Sequence, residues 1–581
     1  MRTYQICFGL IIVHINRMKK ILLPFILLFT AFQSQAQLSA NKYWIQFADK
    51  NNNGFITESP EQFLSLKSIE RRVKYGISIR NRDLPVTESY VQSITQTGAN
   101  VILRSKWMNG VVVFLNDSNL LTSIEQLPFV VSSRKLARTK PKTNADELKE
   151  TLEMFMEQIG AQKGKDIKQK TASEIVDYGL GFNQIEQING IDLHKSGRMG
   201  QGMQIAVFDA GFPQVDTLPV FKRLRDDNRI IGMFDVVNNS VNVIGFNSHG
   251  RSVLSTMAAW KDGLLVGTAP LAEYFLVRTE DAATEYVIEE YNWLRGAELV
   301  DSAGVDIINS SLGYTQFDEA TQSHTYADLN GNTTVITRAA DWAAATGMLV
   351  VNSAGNSGDS PWRYIGAPAD ADSILTIGAV DSLGIYASFS SQGPTADGRI
   401  KPNVTALGKQ AAVATGFGTA IRGNGTSFSG PIIAGMAACL WQGHRDKNAQ
   451  QIIKAIEQSA SRASNPDNYY GFGIPDFGKA DYILRNLPPI DQLVDSIVNV
   501  YPNPMVTGIT LEFFSTQLQF AKLEITSLNG KRIYSETVQL KPFFNNIFSI
   551  QPLRDVKQGI YIITIFVGKK KYTRQVVKSS N

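Results

Sequence analysis

The chain has very little cysteine, no marked excess of either charge and no long apolar run. Its 581 residues include only two cysteines, Cys7 and Cys439, and the second stands among small apolar residues, which favours a core position. The 57 Lys and Arg residues against 53 Asp and Glu residues give a formal net charge of +4, a balance that points to neither nucleic acid nor an anionic membrane surface. With 43% hydrophobic and 19% charged residues the composition is that of a globular protein, and the length predicts three or four structural units.

The one apolar stretch near the N-terminus predicts an export signal. Met18-Lys19-Lys20 forms a positively charged start, Ile21–Phe32 is a 12-residue apolar core, and Ser34-Gln35-Ala36 supplies the small residues of a cleavage site. A membrane-spanning helix, the alternative, needs about 20 apolar residues and is therefore disfavoured. A signal peptide over 1–36 takes Cys7 with it, so the mature chain has no cysteine pair for an internal disulfide.

Residues 41–136 are predicted to form a small domain of strands and helices. Ser59-Pro60-Glu61-Gln62 resembles a capping box with Pro at the first helical position, so a helix is expected from there to Gly76. The charged stretch that follows, Thr139–Ala172, predicts an exposed connection, and domain and connection together occupy 37–172. Three strands are expected, over Lys42–Asp49, Gly110–Asn116 and Phe129–Ser133.

The middle and the end of the chain have different patterns. Residues 173–485 alternate β-branched runs with helical stretches and many glycines, which is the pattern of an α/β domain. A Pro-containing connection follows over 486–498. Residues 499–581 then alternate like strands, with hairpin turns at Asn529-Gly530 and Gly568-Lys569, and predict a small β-sandwich.

Residues Ile432–Leu440 have almost no polar face and therefore predict a buried helix. Pro431 is expected in the first turn of this helix, where a missing N–H costs little. Ser427 then lies at the positive end of the helix. Its hydroxyl could be an N-cap, for which serine is favoured, or a nucleophile, and this segment alone leaves both interpretations open.

Two further stretches place a carboxylate and an imidazole next to regular elements. Ile205–Phe208 form a predicted buried strand with Asp209 at its carboxyl end, which is where open α/β sheets place their sites. His249 precedes a helical pattern and is followed by Gly250. Each has a plain structural alternative, because Asp209 could cap the following turn and a lone histidine is usually structural.

A third stretch adds a carboxamide. Leu349–Asn352 predict a buried strand, and the polar turn after it contains Asn356, which is either an ordinary turn residue or a source of two N–H donors for a cleft. The four residue types together meet the needs of acyl transfer. The hydroxyl of Ser427 needs a base, which His249 can supply, and Asp209 can hold that imidazole in one tautomer. Asn356 and the backbone N–H of Ser427 can donate to an oxyanion.

These stretches resemble the four motif blocks of the subtilisin-like serine peptidases, in the order of that family. The blocks are VFDAG around Asp209, SHGRSV around His249, SAGNSG around Asn356 and GTSFSGP around Ser427. The resemblance covers 195–485. It implies that the aspartate, the histidine and the serine form a catalytic triad, and that the asparagine stabilises the oxyanion.

The stretch INSSLGY (Ile308–Tyr314) resembles the strand of the same family that lines the primary specificity pocket and pairs with the substrate backbone. That likeness implies that Ser311, Leu312 and Gly313 bind substrate. The family also implies the fold of 173–485, a subtilisin-like parallel sheet with helices on both faces. It implies that the small α+β domain before it is a propeptide that assists folding and fills the cleft until it is cleaved; an independent accessory domain is the alternative.

The tail resembles the C-terminal sorting domain of type IX secretion cargo. The likeness rests on the opening Tyr501-Pro502-Asn503-Pro504, on the closing strand Gly559-Ile560-Tyr561 and on the basic end. It implies export through the periplasm to the cell surface or the medium, with the type IX machinery as partner and no integral membrane segment in the mature form. A carbohydrate-binding or adhesive β-module is the alternative.

The implied function is that of a secreted serine endopeptidase, made as a zymogen, that acts on proteins or peptides and has no nucleic-acid partner. A catalytically inactive surface-binding protein on the same scaffold is the competing class, and an esterase or exopeptidase would keep the serine chemistry. No cofactor and no catalytic metal are expected. Tyr326–Thr334 resembles half of a calcium loop around Gly331 but lacks the terminal Glu, so structural calcium is the alternative to a solvated turn.

Overall fold

The computed structural model describes residues 41–138, 176–486 and 494–579, apart from 516–518, 541–543, 552 and 554. The predicted signal peptide, the predicted connection over 139–172 and part of the one over 486–498 lie outside the described residues. Three structural units follow one another along the described chain, and each has an apolar core.

The first unit is a four-stranded antiparallel sheet with three helices, as the predicted α+β class requires. In chain order its elements are β1 (Asn41–Phe47), α1 (Leu66–Lys74), α2 (Glu88–Gln96), β2 (Asn100–Ser105), β3 (Gly110–Leu115), α3 (Asn119–Glu125) and β4 (Val130–Ala137). The strand order is β2-β3-β1-β4. Val91 and Ile94 of α2 and Ile124 of α3 pack on one face of this sheet.

Helix α1 begins later than its sequence pattern predicts. Pro60–Gln62 form only a 3₁₀ turn, and the predicted capping box is wrong because the true cap is Ser65, whose hydroxyl accepts a backbone N–H of the first turn at 3.2 Å. The buried face is not the apolar one either. Arg71 and Arg72 are buried, whereas Val73 is 77% exposed. The helix therefore uses its charged face to contact the rest of the protein.

The second unit is built on a seven-stranded sheet in which all strands are parallel. Its strands and small hairpins are β5 (Gln204–Asp209), β6 (Ile230–Asp235), β7 (Trp260–Lys261), β8 (Leu265–Val266), β9 (Glu273–Arg278), β10 (Ile307–Ser310), β11 (Leu349–Ser353), β12 (Leu375–Val380), β13 (Val404–Leu407), β14 (Lys409–Ala414) and β15 (Ala420–Asn424). The sheet order is β13-β12-β11-β10-β5-β9-β6. After β5 the chain adds β6 and β9 on one side of that strand and then β10 to β13 on the other side. Such a reversal of direction opens a crevice at the carboxyl ends of the central strands.

Helices cover both faces of this sheet, as predicted. They are α4 (Phe182–Glu186), α5 (Ile191–Lys195), α6 (Lys222–Asp226), α7 (His249–Ala258), α8 (Ile288–Ala303), α9 (Val335–Ala345), α10 (Thr426–Gln442), α11 (Ala449–Ser459) and α12 (Phe477–Asn486). Ile205 and Val207 of β5 share a core with α7 and α10, while Ala206 and Phe208 share the opposite core with α8 and α9. The strand is therefore apolar along its whole length because both of its faces are buried.

Helix α10 is the buried helix that the sequence predicts, since every residue from Thr426 to Trp441 is buried. Pro431 does not lie in the first turn, where the sequence predicts it. It lies inside the helix, at the sixth residue. Cys439 is fully buried here and its Sγ donates to Thr268 O at 3.1 Å. Even so, the described part of the chain contains no helix whose length and apolar character would let it cross a membrane.

The third unit consists of two antiparallel sheets with a shared apolar core, as the predicted β-sandwich requires. Its strands are β16 (Ser496–Tyr501), β17 (Ile509–Ser515), β18 (Gln519–Ser527), β19 (Arg532–Leu540), β20 (Phe544–Ile550), β21 (Gly559–Val567) and β22 (Lys570–Lys578). The sheet orders are β16-β17-β20 and β19-β18-β21-β22. Gly530 and Gly568 form the two predicted hairpin turns with φ values of 82° and 57°.

Candidate active site

Asp209 and His249 meet at the carboxyl edge of the parallel sheet. Asp209 is the last residue of β5, and His249 is the first residue of α7. The His249 Nδ1 atom lies 2.9 Å from each carboxylate oxygen of Asp209. Gly250 permits this approach, because a Cβ atom there would lie 2.4 Å from Gly211 O and 2.8 Å from Asp209 Cβ. Any side chain at position 250 would push α7 away from β5.

The surroundings of this pair set its charges. The Asp209 side chain is fully buried, and its Oδ1 also accepts the N–H of Ala210 at 2.8 Å. The negative charge of Asp209 raises the pKa of His249 above its usual value, although burial opposes part of that rise. Because Nδ1 of His249 donates to the carboxylate, the lone pair of the neutral imidazole is on Nε2.

Ser427 is the second residue of α10 and not its N-cap. The cap is Gly425, whose φ of 150° lies in the region that favours glycine. Within the described residues no hydrogen bond reaches the Ser427 hydroxyl. The ring of the next residue, Phe428, has its centre 6.2 Å from that of His249, so the first turn of α10 lies beside the imidazole. Contacts between a nucleophile and its base are often long before substrate binds.

The proline inside α10 has a direct effect on this turn. Pro431 has no N–H with which to complete the helical hydrogen bond to the carbonyl of Ser427. The hydroxyl of Ser311 donates to that carbonyl oxygen instead, at 3.0 Å. The segment after β10 is thereby fixed to the first turn of α10.

Asn356 lies in the turn after β11 and contacts the start of the same helix. Its Oδ1 accepts the N–H of Thr426 at 2.8 Å and the Thr426 hydroxyl at 3.0 Å. These two bonds fix the amide plane, and they leave Nδ2 beside Gly425, 3.7 Å from where a Cβ of that residue would be. Asn356 is exposed, and the Ser427 backbone nitrogen lies 3.6 Å from the same Cβ position, so Nδ2 is close to the first turn of α10.

The predicted substrate-binding residues continue β10 beyond the end of its pairing. The carbonyl of Leu312 accepts Nδ2 of Asn352 at 3.1 Å. Leu312 is half-buried and Gly313 is exposed, and the Gly313 backbone forms no hydrogen bond with other described residues. This short segment therefore presents backbone groups that an added strand can pair with.

No sequence motif marks Glu280, a buried carboxyl group near this site. Burial raises its pKa to about 8, and the charges of Glu285 and Asp209 add to that rise. The hydroxyl of Tyr314 donates to its Oε1. A glutamate in the stretch TED matches no motif, and only the pairing of β9 with β5 brings it close to Asp209.

The predicted half of a calcium loop uses its oxygen atoms internally. The Asp328 carboxylate accepts the N–H and the hydroxyl of Thr325 at 2.8 and 2.7 Å, and Asn330 Oδ1 accepts a loop N–H at 2.9 Å. The guanidinium of Arg399 lies 2.5 Å from where a Cβ of Gly331 would be. Among the described residues no group of three or more His, Cys, Asp or Glu side chains could hold a metal. These internal contacts are those of a solvated turn, and structural calcium stays the alternative prediction.

Models of three families match successive parts of the chain. The model of the Subtilase family matches residues 200–473, which include all four predicted catalytic and oxyanion residues. A model described as Peptidase S8 propeptide domain, Bacteroidota, matches residues 42–150. A model described as Secretion system C-terminal sorting domain matches residues 499–579.

Individual proteins are also similar to this chain. Subtilisin E of Bacillus subtilis (strain 168) is 30% identical over 306 residues, which are 52% of this chain and 70% of that protein. The thermostable alkaline protease of Halalkalibacterium halodurans is 25% identical over 368 residues, 63% of this chain and 86% of its own. The crystal structure of MycP1 from the ESX-1 type VII secretion system covers 57% of this chain and 92% of its own, with 21% identity and a TM-score of 0.42.

The fold, the Subtilase family model and the similarity to Subtilisin E define the class of serine peptidases built on a parallel α/β sheet. Within that class the chain belongs to the subtilase family. It is a subtilisin-family peptidase with a propeptide domain, and its type IX sorting domain indicates export to the cell surface or the medium. The predicted family, fold, enzyme class and destination are confirmed, while the roles of single residues stay predictions.

Proposed function

We propose that the protein is a secreted serine endopeptidase that hydrolyses peptide bonds through Asp209, His249 and Ser427. The observation that carries this proposal is the pairing of His249 Nδ1 with the buried Asp209 at 2.9 Å. That pairing leaves Nε2 as the basic atom, on a ring that lies beside the first turn of α10.

The reaction then has two halves. Ser427 Oγ attacks the peptide carbonyl carbon while His249 Nε2 takes the hydroxyl proton, and Asp209 stabilises the resulting imidazolium. The oxyanion accepts hydrogen bonds from the Ser427 backbone N–H and from Nδ2 of Asn356. As the intermediate collapses, His249 gives the proton to the leaving amine and an acyl-enzyme remains. Water then gives a proton to the same nitrogen and attacks the acyl carbon. The bond from that carbon to Ser427 Oγ breaks, His249 returns the proton to Oγ, and the acid product leaves.

The substrate class and the maturation follow from the same proposed chemistry. The backbone of Ser311–Gly313 pairs with an extended peptide, which makes proteins and peptides the substrates. The chain is made as a zymogen, in which the propeptide segment within 37–172 is removed by the enzyme itself. The type IX machinery recognises the sorting domain. The reaction uses no cofactor.

The test is labelling of the full chain by a fluorophosphonate probe, which reacts with an activated serine. Wild type should be labelled and should cleave peptides, and Ser427→Ala should do neither. Ser429→Ala is the matched control, because that hydroxyl lies two residues further along α10 and donates to Thr426 O at 3.1 Å. An unlabelled wild type would favour an inactive binding scaffold, and labelling without endopeptidase activity would favour an esterase or exopeptidase.

Two graded effects sharpen the test. Asn356→Ala should lower kcat by roughly 10²–10³ with little change in KM, a magnitude known from the corresponding donor in subtilisin itself. Activity should fall as pH drops through the pKa of His249, because the protonated ring cannot act as a base. Since Asp209 raises that pKa, the loss should begin above pH ~6.5, the ordinary value for histidine.

A further inference from the structure

Glu280 lies between the catalytic aspartate and the substrate-binding segment. It is the second residue after β9, and the N–H of its neighbour Thr279 donates to the carbonyl of Asp209 at 3.1 Å. Glu280 is buried, with only 8% of its surface accessible. Its Oε1 accepts the hydroxyl of Tyr314, and the Thr279 hydroxyl lies 3.4 Å away.

Tyr314 directly follows the substrate-binding segment and is held on several sides. It is 1% exposed, and its ring stacks on Phe317 with centres 6.2 Å apart. Its backbone N–H donates to Ala367 O at 2.8 Å, and its carbonyl accepts the N–H of Ala367 at 3.1 Å. The carboxyl group of Glu280 is the polar partner of its hydroxyl, so that hydroxyl connects β9 to the end of the segment.

The segment before Tyr314 has few other supports. Ser311 is fixed at one end by its bond to Ser427 O, and Leu312 by its carbonyl bond to Asn352. Gly313 has no side chain and forms no backbone hydrogen bond with described residues. The position of its free backbone groups therefore depends on the residue that follows it.

We propose that Glu280 is a positioning residue, which fixes Ser311–Gly313 for substrate binding through its hydrogen bond with Tyr314. This inference rests on the proposed peptidase function and deepens it. Glu280 touches neither the substrate nor Ser427. It acts by holding the end of the segment at a constant distance from β5, whose last residue is Asp209.

The proposal predicts an effect on KM that is separate from kcat. Removing one partner of a buried hydrogen bond costs enough to change binding roughly tenfold. The experiment compares Tyr314→Phe and Glu280→Leu, which remove the bond, with Glu280→Gln, which keeps an oxygen acceptor for the tyrosine. KM for a peptide that spans several subsites should rise roughly tenfold in the first two, while kcat changes less than threefold. In Glu280→Gln, KM should stay near the wild-type value.

The matched control is Tyr274→Phe. Tyr274 is also fully buried in β9, and its hydroxyl donates to Ala269 O at 2.8 Å, far along the strand from Glu280. It should lower the melting temperature about as much as Tyr314→Phe and leave KM unchanged. A KM effect as large in Tyr274→Phe, or an unchanged KM in both Tyr314→Phe and Glu280→Leu, would overturn the proposal.

Fluorophosphonate labelling separates this inference from the function on which it rests. The probe is small and does not need the strand pairing, so its rate of reaction with Ser427 should be the same in wild type and in Glu280→Gln and Tyr314→Phe. Normal labelling with unchanged KM overturns the positioning role alone. Absent labelling in wild type overturns the peptidase function itself. If Glu280→Leu fails to fold, the comparison of KM between Tyr314→Phe and Glu280→Gln tests the proposal.

Discussion

The propeptide domain brings three cationic side chains to one buried carboxylate of the catalytic domain, whereas the sorting domain brings one carboxylate to one lysine. Arg71, Arg72 and Lys106 lie 2.7, 3.0 and 3.1 Å from the carboxylate oxygens of Asp301, which is fully buried in α8. At the other end, Lys454 of α11 lies 2.8 Å from Glu512 of β17.

The propeptide contact is also wider. Arg71 donates to the carbonyl groups of Val305 and Thr346, and Glu298 accepts the hydroxyl of Ser105 and the N–H of Trp107. Around the sorting-domain pair, Asn499 donates to Glu512 at 3.2 Å. The domain proposed to be removed is thus held by more polar contacts than the sorting domain. Cleavage of the connecting chain alone should not release it.

Loss of the nucleophile should have the greatest effect, and it should affect the propeptide domain and the sorting domain differently. Ser427→Ala removes the nucleophile, so self-processing should stop and the exported chain should retain residues 41–138. Its sorting domain should still direct export, because β16–β22 lie outside the catalytic unit. Intact-mass analysis of the exported protein measures both outcomes. A Ser427→Ala chain that starts beyond residue 138 would show that another protease removes the propeptide.

A second change weakens the propeptide contact at its centre. Asp301→Asn leaves Arg71, Arg72 and Lys106 without their shared negative charge, and breaking a buried ion pair in this way costs about 3–5 kcal/mol. In the Ser427→Ala background, amide hydrogen exchange over 41–138 should accelerate by the corresponding factor. Asp318→Asn, an exposed carboxylate away from this contact, should leave the exchange unchanged.

A third change applies the same logic to the sorting domain. Lys454→Met removes one partner of a single pair and keeps the apolar bulk, and Asn499 still donates to Glu512, so the cost should be about 1–3 kcal/mol. Thermal unfolding of the full chain should show an earlier transition for the sorting domain, with peptidase activity unchanged. An equal or larger loss than that of Asp301→Asn would contradict the ranking of the two contacts.

The smallest expected effect concerns acid. Burial alone would raise the pKa of Asp301, but Arg72, Lys106 and Arg71 hold it well below its usual range. A lowered carboxyl pKa gives stability that is complete above the unfolded value of ~3.8 and is lost only as pH falls through the lower folded value. The propeptide should therefore stay bound between pH 7 and 4.5. Size-exclusion chromatography of the cleaved protein at both values measures this, and release at pH 4.5 would contradict it.

Local patterns predicted much of this architecture. Three of the four strands of the propeptide sheet follow from alternation or from apolar runs, whereas β2 was not predicted. The hairpins of the sorting domain follow from Asn529-Gly530 and Gly568-Lys569, and the buried helix follows from its lack of a polar face. The pairing of Asp209 with His249 could be expected because each stands in its own motif block.

The remaining features depend on partners that are distant in sequence. Arg71 and Arg72 are buried because Asp301 lies opposite them, about 230 positions further along the chain, and no local pattern marks such a face. Glu280 meets Tyr314 only after β9 and β10 have been placed on either side of β5. Periodicity identifies apolar faces, but it does not predict the burial of charged residues that another domain neutralises.

Because Cys439 is buried, a cysteine introduced elsewhere could be labelled selectively to follow maturation. Burial raises the pKa of its thiol above the usual range, and the thiolate is the reactive form, so alkylating reagents should react with it slowly. A chain that begins at Gln37 carries no other cysteine. One cysteine introduced on the surface of the propeptide domain would then accept a fluorophore selectively, and departure of that domain could be followed in real time without first building a cysteine-free background.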